Sequence, residues 1–495
     1  MPDLREKDEL DGLRARIRDL ADAGHRLVEA RQADVDRVHP SYRDSARNLL
    51  HYLALRQHDL RELQRTLHRY GVSSLGRSEE YVHATLRAVE RALAALAGEP
   101  HEPGPAPAVT FDRGRALLTS HAVALLGPPA AGRGGRIMVT VDAEGTDRAL
   151  LSDLLRAGMN LVRINCAKES PEAWAGLVAR LREAEEETGA SARVHVDLAG
   201  PNARTVALGE GWKAPALEVG DRLVLTTPED RPTRKKEKPA RVGVSLTEVL
   251  GAVEMGHAVH FDDGLLTGQV VARDDEGRVV VELREVCGGR AKVKANKGIN
   301  LPDSDLPLPS LTENDLKALD TVVGLADTVG MSFVRCPEDV DRLNAALAER
   351  GAQDVGVVLK IETRGAFQRL PALLLRALQR EAPVGVMLAR GDMGVELGFA
   401  RMSEVQEEVL WICEAAHVPV IWATQVLESL AKRGLPTRGE ITDAAMAGRA
   451  ECVMLNKGEH VVRTVELLAD VLGRMDAHHH KKVDLLRALA VSRLD

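Results

Sequence analysis

From Arg136 onward the chain repeats one pattern, a short β-branched run followed by a stretch of helical spacing, and candidate strands begin near Ile137, Asn160, Arg193, Thr328, Val355, Val384, Pro419 and Cys452. Eight such runs with helices between them predict an α/β fold, a (β/α)8 TIM barrel, because each parallel strand needs a crossover to bring the chain back to the same end of the sheet. The large interruption falls between the third and fourth runs, over residues 202–297, and contains V-G-D-R-L-V-L, H-A-V-H-F-D-D-G and G-R-V-V-V-E-L-R-E-V. Alternating runs bounded by turn residues predict a small all-β insert, leaving the barrel at 136–201 and 298–475.

The flanking segments read differently. In residues 1–98, Leu10, Leu13, Ile17 and Leu20 recur at steps of three and four, as do Leu49, Leu53, Leu60, Leu63 and Leu67. Such stripes predict an N-terminal helical module, serving either as a bundle packed on the body or as an oligomerisation or regulatory unit. Residues 99–135, with E-P-H-E-P-G-P-A-P-A and G-P-P-A-A-G-R-G-G, read as a linker. Residues 476–495 read as a C-terminal helical tail, with H-H-H-K-K at His478–Lys482 as an exposed helix surface rather than a metal site. The basic run Arg234–Lys238 reads as a solvated loop of the insert rather than a polyanion site.

Lys and Arg number 66 against 74 Asp and Glu, a net charge of -8, so nothing in the overall charge calls for nucleic acid or an anionic membrane as partner. Five scattered cysteines (Cys166, Cys287, Cys336, Cys413, Cys452) with no C-x-x-C pair imply free thiols in a reducing compartment rather than a zinc site. The start M-P-D-L-R lacks an apolar core and no run has membrane-spanning length, so the expected location is cytoplasmic.

Chemistry concentrates between Val355 and Glu396. In V-G-V-V-L-K-I-E, Lys360 and Glu362 are two residues apart, which on a strand puts an ammonium and a carboxylate on one face. A lysine in an apolar strand is costly unless it is paired, although a strand-end lysine can also snorkel to solvent. The next run, V-G-V-M-L-A, ends in Arg390-Gly391-Asp392, which places a carboxylate just past the carboxyl end of a strand, where barrels bind their ligands.

These residues, K-I-E-x-x-x-G, A-R-G-D-x-G-V-E, then A-T-Q-x-L-E-S and P-T-R, resemble the pyruvate kinase family in order and spacing. A-G-M-N-x-x-R-I-N at Ala157–Asn165, D-L-x-G-P-x-x-R at Asp197–Arg204, D-D-G-L at Asp262–Leu265 and K-G-I-N-L-P at Lys297–Pro302 extend the resemblance over about residues 136 to 470. It implies transfer of a phosphoryl group from phosphoenolpyruvate to ADP, giving pyruvate and ATP through a magnesium-bound enolpyruvate, by a homo-oligomer. Glu362 and Asp392 match the family's ligands for Mg²⁺ or Mn²⁺. Lys360, Arg163 and Thr424 match catalytic positions. Ala389, Arg390 and Gly391 match a pocket in which backbone N–H groups receive the substrate carboxylate. Arg163, Asn165, Arg204 and Lys297 match the nucleotide and phosphate side, and Asn165 and Asp197 match ligands of a monovalent cation. For Thr424, a plain helix cap is the competing reading. The insert matches the family's mobile β lid. The space after the eighth run is too short for the family's C-terminal effector domain, so regulation is expected elsewhere.

Departures bear on both ends of the reaction. Where the family reads N-F-S-H-G, this chain has Asn165-Cys166-Ala167-Lys168-Glu169. A hydroxyl ligand for potassium is lost at Ala167, Lys168 could act as a built-in cation, and weak or absent potassium dependence follows. The family's T-I-G-P is Thr140-Val141-Asp142-Ala143, an added carboxylate near the expected nucleotide phosphates, and its S-G-E-T is replaced around Asn456-Lys457-Gly458-Glu459. Two other classes fit the retained half: a metal-dependent lyase or aldolase acting through a pyruvate enolate, and a non-catalytic phosphoenolpyruvate-binding regulator.

Overall fold

The computed structural model describes residues 4–101, 104–232, 238–306 and 308–485. Eight parallel strands close a barrel: β1 (Arg136–Thr140), β2 (Leu161–Asn165), β3 (Arg193–Asp197), β4 (Thr328–Met331), β5 (Gly356–Ile361), β6 (Val384–Ala389), β7 (Val420–Ala423) and β8 (Cys452–Leu455), with β8 pairing back onto β1. The barrel expected from the strand–helix alternation is therefore the observed fold. Its strands lie between a filled interior and a ring of helices, which is why β5 and β6 are buried at every position and read as near-continuous apolar runs.

The expected linker at 99–135 is corrected by a 16-residue helix, Phe111–Leu126, capped by the Thr110 hydroxyl accepting from Arg113 N at 3.3 Å. Leu125 and Leu126 at its end are buried with Met138, Leu161, Val358, Met387 and Ile421, plugging the amino-terminal end of the barrel. The prolines before it stand at a boundary, and A-L-L-T-S-H-A-V-A-L-L behind them carries helical spacing.

The leading residues form helices Leu4–Ala30, Arg43–Arg56, Arg61–Arg69 and Val82–Ala97, with Leu10, Leu13, Ile17, Leu49, Leu63 and Leu67 buried. The second leucine stripe is split over two helices, broken where the Asp59 carboxylate accepts from Arg61 N at 3.1 Å. Asn48 Nδ2 donates to Glu79 O at 2.6 Å and to Ala415 O at 2.9 Å, so one side chain ties these helices to helix Phe399–Ala415, which leads into β7. His417, fully buried, sits between Ser45 Oγ at 3.0 Å and Glu80 O at 2.8 Å. Burial holds its imidazole down at about 4, and burial likewise lowers His51 to about 3 and His83 to about 4.

Among the described residues the insert forms a seven-stranded sheet and a two-stranded pair around its own core, which includes Leu223, Val242, Phe261 and Val281. Strand Ile299–Asn300 pairs with Phe261 and His260, so the sheet runs past the expected limit at 297. Of the basic run, residues 234–237 lie outside the described residues, and Lys238 pairs with Asp221 at 3.3 Å.

The expected helical surface at His478–Lys482 is instead a hairpin, His479–His480 against Val483–Asp484; the remaining tail, 486–495, lies outside the described residues. At its turn Lys481 is buried, donating to Arg449 O at 2.9 Å and pairing with Glu451, while Lys482 pairs with Glu79. Buried acids under the barrel need counter-charges, and the turn delivers them. No helix among the described residues is long and apolar enough to cross a membrane.

Candidate active site

Strand register assembles the site at the carboxyl end of the barrel. Asn165 at the end of β2 lies beside Asp197 at the end of β3, and Gly330 on β4 lies on its other side. A Cβ at Gly330 would collide with the Asp197 carboxylate and crowd His195, so that position leaves the room the buried acid occupies. Asp197 is 1 % exposed and collects three partners: His195 Nε2 at 2.9 Å, Arg163 Nε at 2.7 Å and Lys360 Nζ at 3.5 Å. Burial opposes its charge, but Lys360 and Arg163 hold the carboxyl well below its ordinary value. Arg163 also donates to Thr140 Oγ1 at 3.1 Å, linking the ends of β1, β2 and β3.

Lys360, 8 % exposed, does not snorkel. Its Nζ lies 3.0 Å from Glu362 Oε1 and donates to Ser332 Oγ at 2.7 Å, and that hydroxyl donates on to Leu198 O at 2.7 Å. Burial disfavours the ammonium, yet Asp197 and Glu362 raise its pKa above the usual lysine value, so the site holds a fixed positive charge. The second Glu362 oxygen accepts from Phe333 N at 2.6 Å, and Phe333 takes a left-handed φ of 52° to supply it.

Asp392 lies in the first turn of helix Arg390–Leu397, which starts directly where β6 ends. Burial first, then Glu362 and the lid's Asp263, push its carboxyl up to about 7 against the pull of Lys360 and a hydrogen bond from Asn300. Two close carboxylates that resist joint ionisation, with few protein ligands beside them, suit a hard divalent ion that keeps positions for water and substrate oxygens. Among the described residues no cluster of three or more acid, imidazole or thiol groups could hold a metal, which leaves Glu362 and Asp392 as a two-carboxylate candidate.

The Arg390 side chain turns to the barrel wall, bonding Asp443 Oδ1 at 2.5 Å, Ala423 O at 3.1 Å and Thr424 O at 2.6 Å, with its guanidinium carbon 4.6 Å from the centre of the Trp422 ring. It braces the loop after β7. Thr424 accepts from Gly391 N at 2.9 Å, so its hydroxyl caps the neighbouring helix rather than one of its own. Thr424, Gln425 and Leu427 all have positive φ, a run of strained non-glycine residues at the rim. Pro436-Thr437-Arg438 opens a helix with reciprocal Thr437–Glu440 capping, and that helix carries Asp443 to Arg390.

The lid contributes Lys297, bonded to Asp262 Oδ1 at 2.8 Å, and Arg204, whose guanidinium donates to Asn296 O at 3.2 Å. Both lie in the strand ends joining lid and barrel. Asp142 pairs with Lys457 from the loop after β8 and accepts from Gly145 N at 2.7 Å, while Lys168 is exposed. Asn456 Nδ2 donates to Glu428 Oε2 at 2.9 Å. Sequence reasoning missed Ser332, His195, Asp443, Asn300 and Lys457 as site neighbours. Ser332, a lone hydroxyl directly after T-V-G-M, carried a usable signal, whereas Asp443 sits in an ordinary amphipathic helix.

The family model "Pyruvate kinase, barrel domain" matches residues 132–462. Pyruvate kinase 1 of Trypanosoma brucei brucei is 30% identical over 365 residues, 72% of this chain and 70% of its own length. A pyruvate kinase of Bacillus licheniformis is 31% identical over 72% of this chain and 60% of its own length. Pyruvate kinase PKLR of Homo sapiens is 32% identical over 74% of this chain and 64% of its own length. With the closed barrel, the inserted lid sheet and the carboxylate pair at its mouth, these matches establish that the chain belongs to the pyruvate kinase family.

Proposed function

We propose that the protein transfers the phosphoryl group of phosphoenolpyruvate to ADP, yielding pyruvate and ATP. The observation that carries this reading is the buried Lys360 ammonium, pinned by Asp197, Glu362 and Ser332 beside Asp392 at the barrel mouth. A bound Mg²⁺ or Mn²⁺ on Glu362 and Asp392 supplies Lewis-acid neutralisation of substrate oxygens. Lys360 and Arg163 face the phosphoryl group and offset its charge as its bond to the enol oxygen breaks and a bond to the terminal phosphate of ADP forms. The electron pair left on the enol oxygen is met by Lys360. The backbone N–H groups of Arg390 and Asp392, flanking Gly391 whose own N–H goes to Thr424 Oγ1, orient the substrate carboxylate in this reading.

Thr424 fits delivery of the final proton. Its oxygen lone pair is engaged by Gly391 N, which leaves the O–H free to pass a proton through water to the methylene carbon. Arg204, Lys297 and Asn165 line the nucleotide side, with Asn165 and Asp197 the candidate ligands of any monovalent cation. The reading places the protein in glycolysis, in the cytoplasm, as a homo-oligomer.

The test is pyruvate formation from phosphoenolpyruvate and Mg²⁺ with and without ADP. ADP-dependent pyruvate supports the proposal. ADP-independent turnover with cleavage of a 4-hydroxy-2-oxo acid replaces it with the lyase reading, which keeps Lys360, Glu362 and Asp392. Oxalate binding with neither reaction leaves a phosphoenolpyruvate-sensing protein.

A further inference from the structure

Far from the barrel mouth, three helices of the N-terminal module each turn one histidine toward a shared cavity of about 300 Å³, also lined by Glu29, Asp44 and Asn48. His25 comes from helix Leu4–Ala30, His51 from Arg43–Arg56 and His83 from Val82–Ala97. The ring centres form a near-equilateral triangle: 5.0 Å from His25 to His51, 4.6 Å from His25 to His83 and 5.1 Å from His51 to His83. None of the three rings makes a hydrogen bond among the described residues, and His51 Nδ1 is buried without a partner. Gly24 permits this arrangement, since a Cβ there would strike the His51 ring.

A buried imidazole nitrogen that satisfies nothing is costly, and His51 Nδ1 is one, with two further imidazoles stationed around its ring. We propose that His25, His51 and His83 form a binding site for a transition metal ion of the Zn²⁺ class. A ring centre lies about 3.2 Å from a zinc ion bound through one ring nitrogen, so two imidazoles on one tetrahedral ion have centres about 5 Å apart. The three centres already stand at that separation. The rings do not aim at one point: His51 and His83 are stacked at 11°, with His25 edge-on to both, and in this arrangement no group of three or more such side chains among the described residues could hold an ion, so binding requires the rings to turn. Rotation about each Cβ–Cγ bond redirects the nitrogens while leaving the ring centres nearly in place. Glu29, one helical turn beyond His25, is positioned to supply a fourth ligand. Asp44 is already engaged by Arg113 and, at 3.5 Å, by Arg47. Half-buried His25 gives the entry path. An ion here would staple three helices far apart in the chain, and binding would add to the stability of the module.

The test uses tag-free, full-length protein stripped with EDTA and titrated with ZnCl₂ or, as control, MgCl₂, by calorimetry, with zinc content measured after gel filtration. The expected result is one zinc retained per chain and a raised Tm that MgCl₂ does not reproduce. His25→Ala, at a half-exposed position that tolerates truncation, and His83→Asn should each weaken binding by at least about tenfold. The proposal is overturned if the wild-type chain retains no zinc. It is also overturned if both variants bind as well as wild type, or if only His479→Ala in the C-terminal hairpin or Asp392→Asn at the barrel mouth abolishes binding.

Discussion

Lys360 Nζ stands 3.0 Å from Glu362 Oε1, one residue past the end of the lysine's strand, so the ammonium and the carboxylate proposed to hold a divalent ion neutralise each other within the site. Asp197, on β3, shares the same ammonium at 3.5 Å. The lysine therefore stays charged and fixed before substrate arrives, as preorganised electrostatic stabilisation requires.

Replacing it tests that role. Lys360→Met should lower kcat by about a thousandfold or more, the scale of losing a preorganised charge partner, with KM little changed. Mn²⁺ binding, followed by electron paramagnetic resonance, should persist because Glu362 and Asp392 remain. A variant within about tenfold of wild type would remove Lys360 from the chemistry.

Much of this was legible in the sequence, for physical reasons. A parallel barrel strand is buried on both faces, so eight apolar runs marked β1 to β8, and a charged pair inside such a run, Lys360 and Glu362, had nowhere to go but the rim. What escaped depended on contacts between distant segments. Lys457 meeting Asp142, Asp443 meeting Arg390 and Lys481 meeting Glu451 join residues whose local sequence resembles any exposed turn or helix. The hairpin at His479 shows the same limit, because two-residue strands leave no periodicity to read.

The Asp142–Lys457 pair bears on the nucleotide side. If Asp142 lies near the nucleotide phosphates, its added carboxylate is tolerable because Lys457 neutralises it. Lys457→Met should raise KM for ADP by about threefold, as expected for an exposed pair, and leave KM for phosphoenolpyruvate unchanged. Asp142→Asn/Lys457→Met should recover the loss. An unchanged KM for ADP in Lys457→Met would place the pair outside the nucleotide path.

His417 predicts an acid-sensitive seam between the N-terminal helices and the barrel. Its folded pKa, about 4, lies below the unfolded value near 6.5, because the ring is buried between Ser45 and Glu80 O. The unfolded chain thus takes up the proton first, and the stability present above about 6.5 declines as pH falls, by about 3 kcal/mol once pH is below 4. His51 and His83 act in the same direction. Urea denaturation between those limits should show a shallower acid slope for His417→Asn than for wild type. An identical slope would mean the ring is protonated in the folded state.

Lys481 should matter more for stability than its place in a terminal hairpin suggests. It is buried, donates to Arg449 O and pairs with Glu451, and burial pushes nearby Glu414 up to about 8 despite the lysine's pull. Lys481→Met strands these acids and should cost about 3 kcal/mol in urea denaturation, as for breaking a buried pair. Adding Glu451→Gln should restore part of the loss, since the two residues are coupled. Equal stability of Lys481→Met and wild type would mean the hairpin is not docked in solution.

Potassium dependence follows from how Asp197 is used. Its Oδ1 is taken by His195 Nε2 and its Oδ2 by Arg163 and Lys360, so the carboxylate that would hold a monovalent cation already has two positive neighbours. Asn165 Oδ1 is likewise occupied, accepting from Ala167 N at 3.0 Å where a hydroxyl-bearing residue would otherwise offer a ligand. If Arg163 and Lys360 supply the charge a potassium ion would bring, the exposed Lys168 is not needed for it. Turnover should be the same in potassium chloride and in tetramethylammonium chloride at equal ionic strength, and Lys168→Met should not create a potassium requirement. Strong activation by potassium would show that Asp197 and Asn165 rearrange to admit the ion, and a potassium requirement only in Lys168→Met would return the built-in cation to that residue.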